Sequence, residues 1–309
     1  MFRTTTCLLA LLLAARAAAA DDGASITADE DAKPVRRTRD ASVGRIFKGP
    51  FPSSRLYTMP TADVVGAYVM SVSAESSLLQ DTGVLTSAGV LAIGFGDIAQ
   101  LEYRHTSAIS ITGINAPVPT AGVQVKLPLP DSLPPLGIAF RLGVPRTETF
   151  GDTDVVETVT DVYAVTRLRA RGFALHAGLR LSQAKIELTR AMELARERRL
   201  ALPTGGFEVA MNPTAKLVGE VSLAPRFAWM PGSIKEPEIG YGMLGRLGMR
   251  WRILPSIVLD GSIGYQLDVA TNAPVQGPGA IVQWDIRLGA EVFVPWGALA
   301  CRAAGVFCD

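Results

Sequence analysis

The sequence contains little of what metal sites and common enzyme signatures require. It has only three cysteines and two histidines among 309 residues, and it has no GxSxG, HExxH, CxxC or P-loop motif. After residue 20 it also lacks an uninterrupted apolar run of roughly 20 residues, the length at which a helix spans a bilayer. We therefore predict no metal site, no cofactor and no transmembrane helix in the mature chain.

The chain also lacks a charge excess of either sign. Lys and Arg number 30 and Asp and Glu number 29, which leaves a formal net charge of +1. A phosphate-binding surface needs a clear basic excess, so the composition argues against nucleic acid as a partner. The mean hydropathy of +0.26 is high for a soluble protein and low for a bundle of transmembrane helices. A transmembrane β-barrel fits this interval, because only alternate residues of its strands face lipid.

The first 55 residues predict an exported protein. Arg3, the apolar run at residues 7–15 and the three alanines before Asp21 have the order of a secretory signal peptide that is cleaved after residue 20. Residues 21–55 are polar and have no hydrophobic period, which favours a flexible periplasmic leader. The arginine cluster of the leader favours a solvated linker over an anion-binding surface.

The rest of the chain alternates apolar and polar residues in segments of roughly 9–15 residues, separated by Gly, Pro, Asp or Asn. In the clearest segment, residues 282–294, Trp284 and Ile286 share one face of a strand, and Asp285 and Arg287 share the other. Further strands are predicted at residues 64–73, 85–95, 98–105, 121–127, 136–143, 155–168, 173–182, 215–224, 241–253 and 257–268, with a possible twelfth at 205–211. We therefore predict an all-β fold, an antiparallel transmembrane β-barrel over residues 56–296 with about twelve strands, ten or fourteen being the alternatives.

Residues 182–201, SQAKIELTRAMELARERRLA, depart from this alternation. They consist mostly of strong helix formers, and Ile186, Met192, Leu194 and Ala195 follow a helical period. The stretch predicts a short helix in a connection between strands. The alternative is a charged extension of the neighbouring strands.

The chemistry of the two strand faces favours a membrane barrel over a soluble one. The polar face combines glycine with single charges of both signs, which suits a hydrated interior; these charges include Glu102, Arg104, Lys126, Arg141, Arg180 and Glu220. Rings near the strand ends favour the lipid–water boundary; they are Tyr57, Phe95, Tyr103, Trp229, Tyr241, Trp251, Phe293 and Trp296. The alternative is a soluble exported β-sandwich, in which the apolar faces form the core.

Several runs resemble Gram-negative outer-membrane β-barrel proteins. They are IGYGMLGRLGMRWRILPSIVLDGSIGYQLDV, WDIRLGAEVFVPW and GGFEVAMNPTAKLVGEVS, the last being similar to segments of uncharacterised barrels loosely grouped as YjbH-like. The resemblance implies a bacterial outer-membrane location, with outer-membrane lipid and the barrel-assembly machinery as partners. It implies no functional residue.

Residues 297–309 form a predicted tail after the barrel. Barrels of this kind often end on an aromatic residue, so either Trp296 closes the barrel and the tail lies in the periplasm, or Phe307 is an atypical terminal signal. Cys301 and Cys308 remain once Cys7 is removed with the signal peptide. In an oxidising compartment they predict a disulfide, with two free thiols as the alternative.

The candidate functional residues are charges on the predicted inner face of the last strands. They form either ion pairs that fill a narrow lumen, which we favour, or an eyelet that selects solutes by sign; they are Arg246, Arg250, Arg252, Asp260, Asp268, Asp285, Arg287 and Glu291. His105, which precedes Thr106 and Ser107 at a strand end, is a weak candidate for a lipid hydrolase at the rim. His176 is predicted to line the lumen.

These observations favour a structural or transport role and no enzymatic activity. The predicted forms are a narrow pore for small solutes and a component of an envelope export system that handles polysaccharide. The alternatives are a barrel-embedded lipid-modifying hydrolase and a soluble periplasmic β-sandwich that binds a ligand. The mixed charge of the lumen predicts no strong ion preference.

Overall fold

The computed structural model describes residues 53–80, 89–107, 109–110, 117–130, 133–170, 172–190, 193–228, 236–267 and 283–304, all within the unit Gly44–Asp309. The predicted signal peptide and residues 21–52 of the leader lie outside the described residues. The strands are β1 (Met70–Gln80), β2 (Gly89–Phe95), β3 (Ala99–Ser107), β4 (Ile109–Ser110), β5 (Pro117–Lys126), β6 (Leu136–Gly143), β7 (Arg146–Phe150), β8 (Thr153–Ala170), β9 (Phe173–Arg190), β10 (Leu194–Asn212), β11 (Ala215–Ala228), β12 (Glu238–Leu254), β13 (Ile257–Leu267) and β14 (Gln283–Val294). One helix, α1 (Trp296–Ala304), follows β14. No helix in this described part of the chain is long and apolar enough to cross a membrane.

The strands close into an antiparallel barrel of 12 strands, which confirms the predicted fold and strand number. Each wall strand pairs with its neighbours along the chain, and β1 pairs with β14 over most of its length to complete the ring. Two short strands lie outside the ring: β7 continues the line of β6 against β8, and β4 runs parallel to the end of β11. A closed ring leaves no unpaired edge, which a sheet in lipid requires.

The wall is charged on its inner side and apolar on its outer side. On β6, Phe140 is 42% exposed to the outside, whereas the next residue, Arg141, is 4% exposed and faces inward. The same alternation exposes leucines, isoleucines and valines around the ring and buries the arginines and carboxylates. A soluble β-sandwich has the reverse arrangement, with its apolar face in the core. The outer surface therefore suits lipid, and the interior suits water and ion pairs.

The two ends of the barrel differ. At the end where β1 begins and β14 ends, three connections are tight: Gly96 and Gly172 turn with positive φ angles, and Pro255-Ser256 joins β12 to β13, whereas the longer segment 127–135 joins β5 to β6. The longest connection between consecutive wall strands, residues 268–282, lies at the opposite end.

Residues 182–201 are strand and not helix, so the helix prediction is wrong. Residues 182–190 complete β9 and residues 194–201 begin β10, and the two segments pair with each other. The faces of β9 exchange character within the strand. In its first half Leu179 is exposed outward and Arg180 is buried, whereas further along Ile186 is buried and Lys185 faces outward. The paired ends of β9 and β10, residues 182–190 and 194–201, therefore extend beyond the apolar band of the wall. We call them the extension.

This extension has an apolar core of its own. Residues 194–204 of β10 pair with β9 but not with β11. The sheet therefore divides there into a β8–β9–β10 layer and a β11–β12 layer. Side chains of the two layers meet in one buried cluster: Val155, Val159, Ala184, Ile186, Leu188, Leu202, Phe227, Ile239 and Tyr241. Tyr241 is therefore a core residue here and not part of an aromatic girdle, contrary to the sequence prediction.

Candidate functional site

The interior of the barrel is occupied by the residues that precede β1. We call residues 53–65 the lumen hairpin. Ser53 lies beside Lys216 at the start of β11, the chain turns at Leu56–Met59, and Val65 returns to Gln100 near the start of β3. The lumen hairpin thus enters and leaves at the end that carries the termini. The sequence pattern does not predict it: the predicted leader includes residues 53–55 and a predicted strand covers residues 64–73, whereas β1 begins at Met70.

Glu220 on β11 holds the turn of the lumen hairpin. Its carboxylate accepts hydrogen bonds from the backbone N–H groups of Tyr57, Thr58 and Met59, at 2.8, 2.8 and 3.1 Å, and from the hydroxyl of Thr58. Successive N–H groups of a tight turn form a concave anion site, and here the anion is a wall side chain. Glu220 itself is 4% exposed, so these bonds form out of contact with bulk water, where they are strong.

Three wall arginines bind the carbonyl groups of the same turn. The Nη1 atoms of Arg104 and Arg141 both donate to the carbonyl oxygen of Thr58, at 2.7 and 2.9 Å. On the opposite wall, Arg250 donates to the carbonyl oxygens of Arg55, at 3.0 Å, and Leu56. Strands β3 and β11 lie half a ring apart in the strand order. The lumen hairpin is therefore bonded to opposite sides of the barrel and bridges the lumen.

The returning limb of the lumen hairpin is bonded in the same way. Gln124 on β5 donates through Nε2 to the carbonyl oxygens of Thr61 and Asp63, at 2.9 and 2.6 Å. The carboxylate of Asp63 forms ion pairs with Arg167 on β8 and with Lys126, the latter at 3.8 Å. The backbone polar groups of an irregular segment inside a membrane barrel need such partners, because no lipid or bulk water supplies them.

Apolar contacts complete the fit between the lumen hairpin and the wall. Leu56, Tyr57 and Met59 pack with a few inward apolar residues of the wall, which are Ala139, Tyr163, Val165 and Val218. Tyr57 therefore lies in the lumen and not in the aromatic girdle that the sequence predicts. Burial raises the pKa of its phenol well above the ordinary value, so this side chain remains neutral.

Most of the predicted eyelet residues lie inside the barrel, but they are engaged in ion pairs. Arg246 donates to both carboxylate oxygens of Asp285, at 2.9 and 3.0 Å, and Arg287 also binds Asp285. Glu291 lies 3.7 Å from Arg55 of the lumen hairpin. Arg250 and Asp260 face each other across β12 and β13, and both are buried.

The other two candidate residues lie at or beyond strand ends. Arg252 lies at the end of β12 and donates to the carbonyl oxygens of Leu254 and Pro255, so it stabilises the turn to β13. Asp268 lies outside the described residues. The described structure therefore brings six of these charged residues together inside the barrel, where Arg250 and Glu291 also contact the lumen hairpin.

The histidines and cysteines take no part in a catalytic or metal centre that the structure describes. His176 is 1% exposed in the lumen, and its Nε2 lies 3.6 Å from a carboxylate oxygen of Glu208. His105 lies near the end of β3, with its ring against that of Tyr103. Among the described residues, no three His, Cys, Asp or Glu side chains are grouped as a metal site. Cys301, in α1, is disulfide-bonded, and Cys308 lies outside the described residues.

The comparisons with known proteins find barrels at low identity. No family model matches the sequence and no curated protein matches it, so the likeness to YjbH-like proteins stays a prediction. An outer membrane channel from Pseudomonas putida F1 has a TM-score of 0.46 and 11% identity, over 79% of this chain and 100% of that one. The translocator domain of the autotransporter NalP from Neisseria meningitidis has a TM-score of 0.40 and 9% identity, over 72% and 86%. OmpT, an outer membrane protein of Vibrio cholerae, has a TM-score of 0.36 and 11% identity, over 71% and 70%. None of these values carries a function over to this chain.

Proposed function

We propose that this chain is a narrow outer-membrane channel whose lumen is closed by the lumen hairpin. The observation that supports the proposal is the bridge across the lumen: Glu220 and Arg250 bind the turn from one wall, and Arg104 and Arg141 bind it from the other. A barrel of 12 strands is intermediate between the filled barrels of eight strands and the open porins. Its interior therefore needs a separate segment to close it.

The outer wall supports the membrane location. Its exposed apolar side chains form the surface that lipid covers, and the closed antiparallel ring gives each wall strand a hydrogen-bonded neighbour on both sides. Export through the predicted signal peptide would deliver the chain to the barrel-assembly machinery. The proposed cargo is a small solute, with polysaccharide export as the second form of the same role.

The contacts of the lumen hairpin suit a closure that can open. They are hydrogen bonds and ion pairs together with the apolar contacts of Leu56, Tyr57 and Met59. Each hydrogen bond contributes about 0.5–1.5 kcal/mol net, or about 1.5–3 kcal/mol where a charged group takes part, because water that enters the open lumen replaces it. Both limbs enter from the same end, so the lumen hairpin can leave without threading through the barrel. Withdrawal breaks no pairing of the twelve-stranded ring.

The first prediction tests this closure through Glu220. Glu220→Ala removes the acceptor of four hydrogen bonds to the turn, so we expect the lumen hairpin to be withdrawn more often and the mean conductance in planar bilayers to rise about tenfold or more. Asp161→Ala is the matched control, because Asp161 is a buried wall carboxylate that pairs with Arg180 and not with the lumen hairpin.

Both proteins must first migrate as folded barrels on unboiled gels. The proposal fails if Glu220→Ala and wild type are both folded and neither conducts. It also fails if Asp161→Ala raises the conductance as much as Glu220→Ala, because the effect would then follow from any lost lumen charge.

A further inference from the structure

The wall opposite Glu220 holds two buried guanidinium groups that converge on one oxygen atom. Arg104 on β3 and Arg141 on β6 are 1% and 4% exposed, and both donate to the carbonyl oxygen of Thr58. A neutral carbonyl that accepts from two cations is an unusual partner, since planar guanidinium forks match carboxylate and phosphate oxygens best.

These two arginines have more donors than partners. Among the described residues, Nη2 of Arg104 and Nη2 of Arg141 have no hydrogen-bond partner, and neither has the hydroxyl of Thr120, which lies beside Arg104 on β5. Buried donors without partners are costly, and they mark places where a ligand or water completes the site.

The local charge also leaves room for an anion. Glu102 is the shared carboxylate of the pair, 2.9 Å from Nε of Arg141 and 3.5 Å from Nε of Arg104. Two guanidinium groups with one carboxylate leave one positive charge. The next arginine along this wall, Arg180, is already neutralised by a two-point bond to Asp161, with both distances 2.8 Å.

We propose that Arg104 and Arg141, with Thr120, form an oxyanion site in the wall of the lumen. The carbonyl oxygen of Thr58 occupies it while the lumen hairpin is inserted, and a carboxylate or phosphate oxygen of an anionic solute occupies it when the lumen hairpin is withdrawn. Because the anion and Thr58 compete, the anion stabilises the open channel. The inference rests on the proposed function in one respect, namely that the site is reached only after withdrawal.

Direct binding tests the site without any need for conduction. Calorimetry on the full chain in detergent would titrate D-glucuronate, inorganic phosphate and, as the neutral control, D-glucose. An anion must displace the lumen hairpin from wild type, and the free energy of that withdrawal lowers the observed affinity. We therefore expect Glu220→Ala to bind glucuronate or phosphate about tenfold more tightly than wild type does. Binding by glucuronate alone assigns the site to carboxylates, and binding by phosphate alone assigns it to phosphates; either supports the proposal.

Arginine variants in the Glu220→Ala background identify the residues. Arg104→Gln with Arg141→Gln should weaken anion binding about tenfold or more, since hydrogen bonds to charged groups are lost. Arg287→Gln, a buried lumen arginine that pairs with Asp285 and Glu75 and not with Glu102, should bind like its parent. All variants are compared only after an unboiled gel shows the folded barrel.

Several outcomes overturn the proposal. Glucose that binds as well as glucuronate, an Arg104→Gln/Arg141→Gln variant that binds like its parent, or a conducting Glu220→Ala protein that binds neither anion would each do so. Anion binding that follows the arginines in a protein that never conducts would leave the site standing and overturn the channel, so the two failures are distinguishable.

Discussion

Glycine residues on the inner face of the wall make room for the lumen hairpin. A Cβ atom at Gly137 would lie 2.9 Å from the carbonyl oxygen of Thr61 and 3.0 Å from Cα of Ala62, and one at Gly248 would lie 2.5 Å from the phenol oxygen of Tyr57. Other inward glycines leave space for ion pairs; at Gly264 a Cβ would meet Asp285 and Arg246. Gly137, Gly248 and Gly264 therefore leave space for what fills the barrel.

Gly137→Ala is expected to displace the lumen hairpin without changing any charge. The added methyl group meets backbone atoms that cannot rotate away, and such overpacking costs about 1–3 kcal/mol. The cost falls only on the inserted state, so the open fraction in planar bilayers should rise about tenfold. Gly261→Ala is the control, because its Cβ would lie 3.4 Å or more from its neighbours. Equal conductance of the two variants would contradict this role of Gly137.

Sequence reasoning located the charged residues but not their partners. Alternation places Arg246, Asp285 and Arg287 on an inner face, and the structure brings them together there. The alternation does not place residues 53–65 in the lumen, because a segment that is held by side chains from many strands needs no hydrophobic period of its own. The available signal was the run of inward glycines, which lack the side chains that a filled lumen would otherwise require.

Among the strands, β9 and β10 depart most from the pattern of the barrel. Within the apolar band Leu175, Leu179 and Leu181 face outward, and beyond it Ala184 and Ile186 face inward. Beyond the apolar band, the outward residues of β9 are polar and the inward ones are apolar. This exchange interrupts the alternation that the sequence shows in the first half of the strand. Strong helix formers in the same stretch then gave a helical period that tertiary packing overrides. Strands that keep one alternation throughout, such as β13 and β14, were predicted within a residue or two.

Ile186→Ala should loosen the extension and leave the barrel folded. Ile186 is 1% exposed in the apolar cluster of the extension, and such a truncation costs about 2–5 kcal/mol. We expect trypsin to cleave the variant faster at the exposed Arg196 and Arg199, while the shift between unboiled and boiled gel bands persists. Leu179→Ala, which removes a lipid-facing side chain of the same strand, should leave the cleavage rate unchanged. Loss of the barrel band together with faster cleavage would show that the extension is not an independent unit.

At the scale of the whole molecule, the fold follows from which side of the wall is apolar. When twelve alternating strands close into a ring, one face of each strand points into the barrel. Here that inner face carries the arginines and carboxylates. That arrangement is stable where the outer face meets hydrocarbon and the inner face is satisfied by ion pairs and by the lumen hairpin. The closure at β1 and β14 continues into α1, where Trp296 packs edge-on against Tyr68, with the ring centroids 5.4 Å apart.

Phe140→Arg tests the lipid-facing wall. Phe140 projects from the outer face of β6, between Val123 and Val162 of the neighbouring strands, and a charge near the bilayer midplane of a barrel costs about 2–4 kcal/mol. We expect wild type to fractionate with outer membranes and to shift on boiling, and the variant to give a weaker unboiled band. Gln183→Arg, at an outward position of the extension, should behave as wild type because water already solvates that level. A soluble wild-type product without a shift, or a Phe140→Arg protein that assembles as well as Gln183→Arg, would contradict a wall built for lipid.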